Sequence, residues 1–125
     1  METDMLPGRG VLIPVQVFEK IGLYDEKNFP QYMADDDFSL RCTYVGYKLV
    51  VATRAVVYAN LGATGLNHAI VRRDLSKFVE SLGSIRSSNN LRIRYKFARK
   101  HAAVPMVYSL LDTGRVLFSF FKKAR

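Results

Sequence analysis

The chain of 125 residues contains a single cysteine, Cys42, which excludes an internal disulfide. With Leu40 and Tyr44 beside it, the residue reads as a packed thiol of a reducing compartment with no redox role. Histidine is almost as scarce. His68 and His101 fall on different predicted helices and have no Cys or His partner at ligand spacing, which points away from a metal centre. A secretory leader is missing too, because "METDMLPGRG" sets acids where a basic segment is needed and no apolar run follows; the default expectation is a cytoplasmic protein. Nowhere do ~18 apolar residues run uninterrupted, as a membrane span requires. The nearest approach, Val104 to Phe121, is broken by Ser109, Asp112, Thr113, Gly114 and Arg115, and is expected to be an interfacial or core-packing helix. "GATG" (62–65) lacks the Lys and Ser/Thr of a phosphate-binding loop and reads as a turn. No internal repeat or low-complexity tract is visible.

Acid is scarce in the second half of the chain and basic residues are scarce in the first. Residues 1–65 carry six Lys or Arg against eight Asp or Glu, whereas residues 66–125 carry thirteen against three. The halves are therefore expected to do different work, the second facing a polyanion. Hydrophobic residues make up 49% of the chain, enough for one compact domain rather than two full ones. The expected division is residues 1–65 and a basic, amphipathic helical extension at 66–125.

Order along the first half follows α/β grammar. "GVLIP" (10–14) predicts a short strand, and "PVQVFEKIG" (14–22) predicts a helix entered at Pro14 and stopped at Gly22. A loop follows, and "DDDFSLRCTYVG" (35–46) predicts a helix with Phe38, Cys42 and Val45 on one side. "YKLVVAT" and "AVVYA" predict extended segments. Beyond Gly65, Leu66, Ile70, Leu75, Phe78, Val79 and Leu82 trace a helix face opposite Arg72, Arg73 and Lys77. "LRIRYKF" (91–97) alternates like a strand, but the helix formers of "ARKHAA" and a cap from Asn89 or Asn90 favour a helix with Leu91, Tyr95, Ala98 and Ala102 on one side.

The acids of the first half concentrate in "QYMADDDFSLR" (31–41). One reading is helix-start chemistry: Asp35 caps, Asp36 and Asp37 face the positive end of the helix dipole, and Asp37 pairs with Arg41 at i, i+4. The other is general-base chemistry, since neighbouring like charges raise the pKa of the least solvated acid. Both readings can hold, with different acids in each role.

Residues 8–65, about half the chain, resemble the C-terminal, acceptor-side half of the catalytic domain of family 2 glycosyltransferases. The match runs through glycines before an apolar run, "VFEKIGLYDE", "FPQY", an acidic cluster ending in "DFSLR", and "GYKLVV". The resemblance implies an α/β fold, a partial GT-A, Rossmann-like sheet, followed by a mainly helical C-terminal region. It implies transfer of a hexosyl group from a nucleotide-sugar donor to a hydroxyl of a saccharide or lipid-linked acceptor, in the synthesis of polysaccharide or cell-surface glycan. In the family pattern Glu-Asp-any-Asp precedes Leu-any-Leu-Arg. Aligned on Arg41, the catalytic base falls on Asp35 and the second acid on Asp37, while Ala34 occupies the Glu position.

Asp36, Asp37, Tyr32 and Asp25 become candidates to bind or orient the acceptor, Tyr24 a residue shaping its loop, and Asn60 a candidate near the donor diphosphate, where many members have histidine. The donor-binding half and its Asp-any-Asp motif, which holds magnesium or manganese, have no counterpart before Gly8. A fragment inactive alone is expected, binding no metal itself and prone to self-association through an uncovered sheet edge. Arg92, Arg94, Lys96, Arg99 and Lys100 are then expected to meet an anionic inner membrane face, with Phe118, Phe120 and Phe121 entering the lipid boundary. The alternative is a nucleic-acid or polyanion-binding module in which Tyr95 and Phe97 stack on bases; it leaves residues 10–65 unexplained.

Overall fold

Pro14 and Gly22 bound the first helix by opposite means. Pro14 holds an extended φ of −60° and ψ of 141° at the entry, and Gly22, at φ 77°, donates its N–H to the Phe18 carbonyl and turns the chain away. The helix between them, α1, runs Val15–Ile21 in the computed structural model, which describes residues 1–58 and 74–122. The second helix, α2, spans Ala34–Tyr44 and is entered through Met33 at φ 67°, a left-handed conformation unusual for a residue with a side chain. Gly46, at φ 90°, donates to the Thr43 carbonyl and closes it.

Three further helices are α3 (Leu75–Gly83), α4 (Leu91–His101) and α5 (Pro105–Lys122). The only ladder among the described residues pairs β1 (Glu2–Thr3) with β2 (Leu49–Val50) antiparallel, Glu2 opposite Val50 and Thr3 opposite Leu49.

The expected Rossmann-like parallel sheet is therefore corrected: 52% of the described chain is helix and no parallel pairing is present among the described residues. A strand exists only where a neighbour takes up its backbone N–H and C=O groups, and parallel neighbours need long crossover connections. Among the described residues, 11–13 of "GVLIP" have no such neighbour and stay irregular, as do residues 55–58 of "AVVYA"; of "YKLVVAT" only Leu49–Val50 is paired. Gly10 bends the chain at φ 70°, and a Cβ there would stand 2.8 Å from the Val57 methyl, so only glycine fits.

Two compact units result, Met1–Asn60 and Leu61–Arg125. In the first, Val17, Phe38 and Cys42 form the core, with Ile13, Phe18, Ile21, Tyr47 and Leu49 half-buried around them. Burying each of these larger side chains contributes roughly 1.5–3 kcal/mol. Val45, expected on the same helix side, is exposed because α2 ends before it.

In the second unit Asp74 caps α3 by accepting from the Ser76 and Lys77 amides at 2.8 and 3.3 Å. Phe78 is buried while Leu75 and Val79 are exposed; Leu66, Ile70, Arg72 and Arg73 lie outside the described residues. Asn90 caps α4, accepting from Ile93 N–H at 3.0 Å and donating to the Gly83 carbonyl at 2.8 Å. The buried side of α4 is Ile93, Phe97 and Ala98; of the expected Leu91, Tyr95, Ala98 and Ala102, only Ala98 is buried. Phe78 and Val116 anchor the apolar cluster of this unit, with the Phe78 and Phe120 rings stacked at 4.3 Å. No helix among the described residues is long and apolar enough to cross a membrane.

Candidate functional site

The start of α2 sends its three carboxylates in three directions. Consecutive helical residues are rotated by about 100°, so adjacent acids cannot share one environment. Asp35 faces the N-terminal segment, where its Oδ2 accepts the Gly8 N–H at 2.8 Å. One turn along the same side of α2, the Ser39 hydroxyl accepts the Leu6 N–H at 3.1 Å. Residues 6–8 are thus clasped along the helix by two side chains four residues apart. Asp35 makes this long-range bond, whereas the cap position belongs to Met33, which offers no side-chain hydrogen bond.

Asp37 points inward and has no exposed surface. Its Oδ2 accepts from Arg41 Nε at 2.9 Å, and the same guanidinium donates to the Ile21 and Leu23 carbonyls at 2.7 and 2.8 Å. The i, i+4 pair therefore ties α2 to the end of α1, and the guanidinium also lies over the Phe38 ring. Sealed in this way, Asp37 makes the expected pair with Arg41, a structural role, and has no surface with which to contact an acceptor directly.

Asp36 is half-buried. Burial, with the neighbouring Asp35 charge second, holds its carboxyl above the usual range. Such a group contributes stability that is complete below the unfolded value near pH 3.9 and is lost as pH rises through the folded value. Asp36→Asn is accordingly expected to stabilise the chain at pH 7 by under about 1 kcal/mol, a small effect because half the group meets solvent. Thermal unfolding at pH 7 and pH 3 checks this: the gain should vanish at the lower pH, where the parental acid is also neutral.

Beside Asp35 lies a cleft of about 460 Å³, walled largely by apolar side chains of the segment before α1, of α1 and α2, and of β2. Its polar lining includes Asp35, Tyr24, Ser39, Tyr47 and Lys48. The Tyr24 ring stacks on Phe38 at 4.5 Å, and burial, then the Asp35 charge, push its hydroxyl pKa up, so it keeps its proton and can donate. Cys42 also lines the cleft; burial raises its thiol against the opposing Arg41 charge, consistent with an inert packed residue. Lys48 is held in an exposed pair with Glu2 at 2.9 Å.

Among the other candidates, Asp25 is committed to a turn, its carboxylate accepting from Asn28 N–H at 3.2 Å and from Asn28 Nδ2 at 3.1 and 3.0 Å. Tyr32 is half-buried and does not line the cleft, so neither residue joins Asp35 there. Asn60 lies outside the described residues. No group of three or more His, Cys, Asp or Glu comes together among the described residues, and with Asp37 sealed the acidic cluster does not fit a divalent cation.

On α4, Arg92, Lys96, Arg99 and Lys100 fall on the outward side, but Arg94 does not. It is ion-paired through two nitrogens to Asp112 of α5 and donates to the Ser88 carbonyl at 2.7 Å, which corrects its assignment as an anion contact. Phe120 is half-buried, its ring stacked on Phe78.

The sequence reading missed Ser39, Gly8, Tyr47 and the apolar wall. A signal existed for Ser39, which stands at i+4 from Asp35. None existed for Gly8, whose part is played by a backbone N–H. Compared with protein-family models, curated proteins and solved structures, the chain finds no match.

Proposed function

We propose that the first unit binds the acceptor of a glycosyl transfer, with Asp35 as the base that takes the acceptor hydroxyl's proton. The observation that carries this reading is that Asp35, alone of the three adjacent acids, lines the cleft. Its Oδ2 is already held by Gly8 N–H, which fixes the side chain and leaves Oδ1 for a sugar hydroxyl. Tyr24 and Tyr47 line the same cleft, and the protonated Tyr24 hydroxyl can donate to a ring or hydroxyl oxygen of a sugar.

In the transfer step the acceptor oxygen loses its proton to Asp35, bonds to the anomeric carbon of the donor, and the nucleoside diphosphate leaves with the electron pair. A single displacement of this kind inverts the anomeric centre. The reading requires a donor-binding half with its divalent cation in addition to the residues described. The acceptor is a saccharide or a lipid-linked saccharide of glycan synthesis.

Titration of the ¹⁵N-labelled chain with methyl glycosides and short oligosaccharides tests this directly. At least one sugar should shift the Gly8 amide resonance saturably, together with those of Tyr24, Ser39 and Tyr47. Asp35→Asn should weaken that binding about tenfold, as loss of one charge-assisted hydrogen bond implies. A cleft silent to every sugar offered, or shifts that survive Asp35→Asn unchanged, would remove Asp35 from the role.

A further inference from the structure

The last helix is packed inside out. Along the 18 residues of α5 the side turned toward its own unit carries Ser109, Asp112 and Thr113 beside Val116 and Phe120. Asp112 is paired there with Arg94, and the Ser109 hydroxyl is buried with no hydrogen-bond partner among the described residues. The opposite side presents Met106, Val107, Leu110, Leu111, Phe118 and Phe121, each more than half exposed, with Leu110 at 75% and Phe118 at 65%. At 1.5 Å per residue this apolar face, from Met106 to Phe121, is about 24 Å long. Ordinary surface helices of soluble domains show the reverse arrangement. An uninterrupted apolar face of this length marks a surface that something covers.

Charge identifies what covers it. From Leu91 to Lys122 there are seven Lys or Arg and one acid, and that acid, Asp112, is consumed by Arg94 and Arg115. The exposed cations include Arg92 and Arg99 on α4, and Arg115 and Lys122 on α5. A second copy of the chain would bring the same cations against each other. A surface of anionic headgroups over hydrocarbon satisfies both features at once.

We infer that α4 and α5 form a hairpin that rests on an anionic lipid bilayer, the apolar side of α5 entering the acyl boundary and the exposed Arg115 and Lys122 at the margin of that side meeting the headgroups. Arg94 and Asp112 each stand nine residues from Ala103, so their pair closes the hairpin and holds the inner side of α5 toward α4. Lying in the interface avoids carrying Asp112 and Arg115 through hydrocarbon, which a spanning helix would have to do. The inference is independent of the Asp35 cleft.

Co-sedimentation of the full chain with phosphatidylcholine vesicles, with and without phosphatidylglycerol, tests it. Binding should be at least about tenfold tighter to the anionic vesicles and should weaken as salt rises. The double variant Leu110→Glu, Phe118→Glu should lose about tenfold or more on anionic vesicles while its far-UV circular dichroism stays parental, because both side chains are outside the core. Arg115→Gln with Lys122→Gln should remove the preference for anionic lipid. Equal binding to both vesicle types overturns the inference. So does absence of vesicle binding, whether the chain is then monomeric or forms a dimer that Leu110→Glu, Phe118→Glu dissolves in sedimentation equilibrium; the dimer would assign the face to a second copy.

Discussion

Asp37→Ala is expected to cost the first unit about 3–5 kcal/mol, a large part of the stability of a domain this size. The loss does not come from the ion pair alone, since burying two charges consumes most of what their attraction returns. It comes from what remains. Without Asp37 the Arg41 guanidinium, only 19% exposed, keeps its bonds to the Ile21 and Leu23 carbonyls but has lost its counter-charge at Nε. The chain must then either hold an uncompensated cation against Phe38 or release it to water and break the tie between α1 and α2.

Asp37→Asn retains an acceptor oxygen and should lose less. Arg41→Ala removes the cation along with the acid's partner, and the double change should cost less than the sum of the singles. Denaturant unfolding followed by circular dichroism measures the totals, and amide hydrogen exchange should locate the loss in α1 and α2. If Asp37→Ala unfolds with the parental midpoint, the pair does not hold the helices together.

The second large effect belongs to the other unit. Asp112→Ala strips Arg94 of its partner at a position where that side chain is 11% exposed, and about 3–5 kcal/mol is again expected. Here pH offers a reversible version of the mutation. Burial by itself would push the Asp112 carboxyl up, but the Arg94 hydrogen bonds and charge, aided by Arg115, carry it below the ordinary range. A depressed carboxylate contributes stability that is fully present above its unfolded value, near pH 3.9, and is lost as pH falls through the folded value. The parental chain should therefore destabilise on acidification below about pH 4. Asp112→Asn, weaker at pH 7, should narrow the gap as pH falls, because the parent's acid becomes neutral as well. A gap that stays constant from pH 7 to pH 2 would show that Asp112 is not held as an anion.

What could be read in advance divides along a physical line. Boundaries written in backbone chemistry were legible: Pro14 and Gly22 around α1, Gly46 after α2, and a cap from Asn89 or Asn90 at the head of α4, which Asn90 provides. Each acts through its own φ or its own side chain, within a few residues. Pairing was not legible. The apolar runs at 11–13 and 55–58 carry the residues of strands, but β propensity describes fit to a pleated surface and does not supply the neighbour.

Nor does periodicity say which side of a helix faces inward. On α4 the alternation of apolar and basic residues allowed Leu91 and Tyr95 to be taken as the buried side, whereas Ile93 and Phe97 occupy it. On α5 the sequence left open whether the apolar side packs inward or outward; the structure turns Phe118 and Phe121 outward and keeps Phe120 against Phe78. The site shows the same division. An acid cluster at a helix start was evident, yet the assignment of one carboxylate to Arg41, one to Gly8 and one to a half-buried position depends on rotation about the helix axis and on chain 27 residues away.

The clasp on Asp35 is written in main chain. Every residue type except proline offers the same amide hydrogen at position 8, and an added methyl there would rest 3.5 Å from Asp35 Oδ2, an ordinary contact. The letter at that position is therefore free to drift while the bond persists. Two chains sharing this arrangement need share no spelling on the strap, only its length and path, so kinship between such clefts is better sought by superposing helix starts than by aligning text.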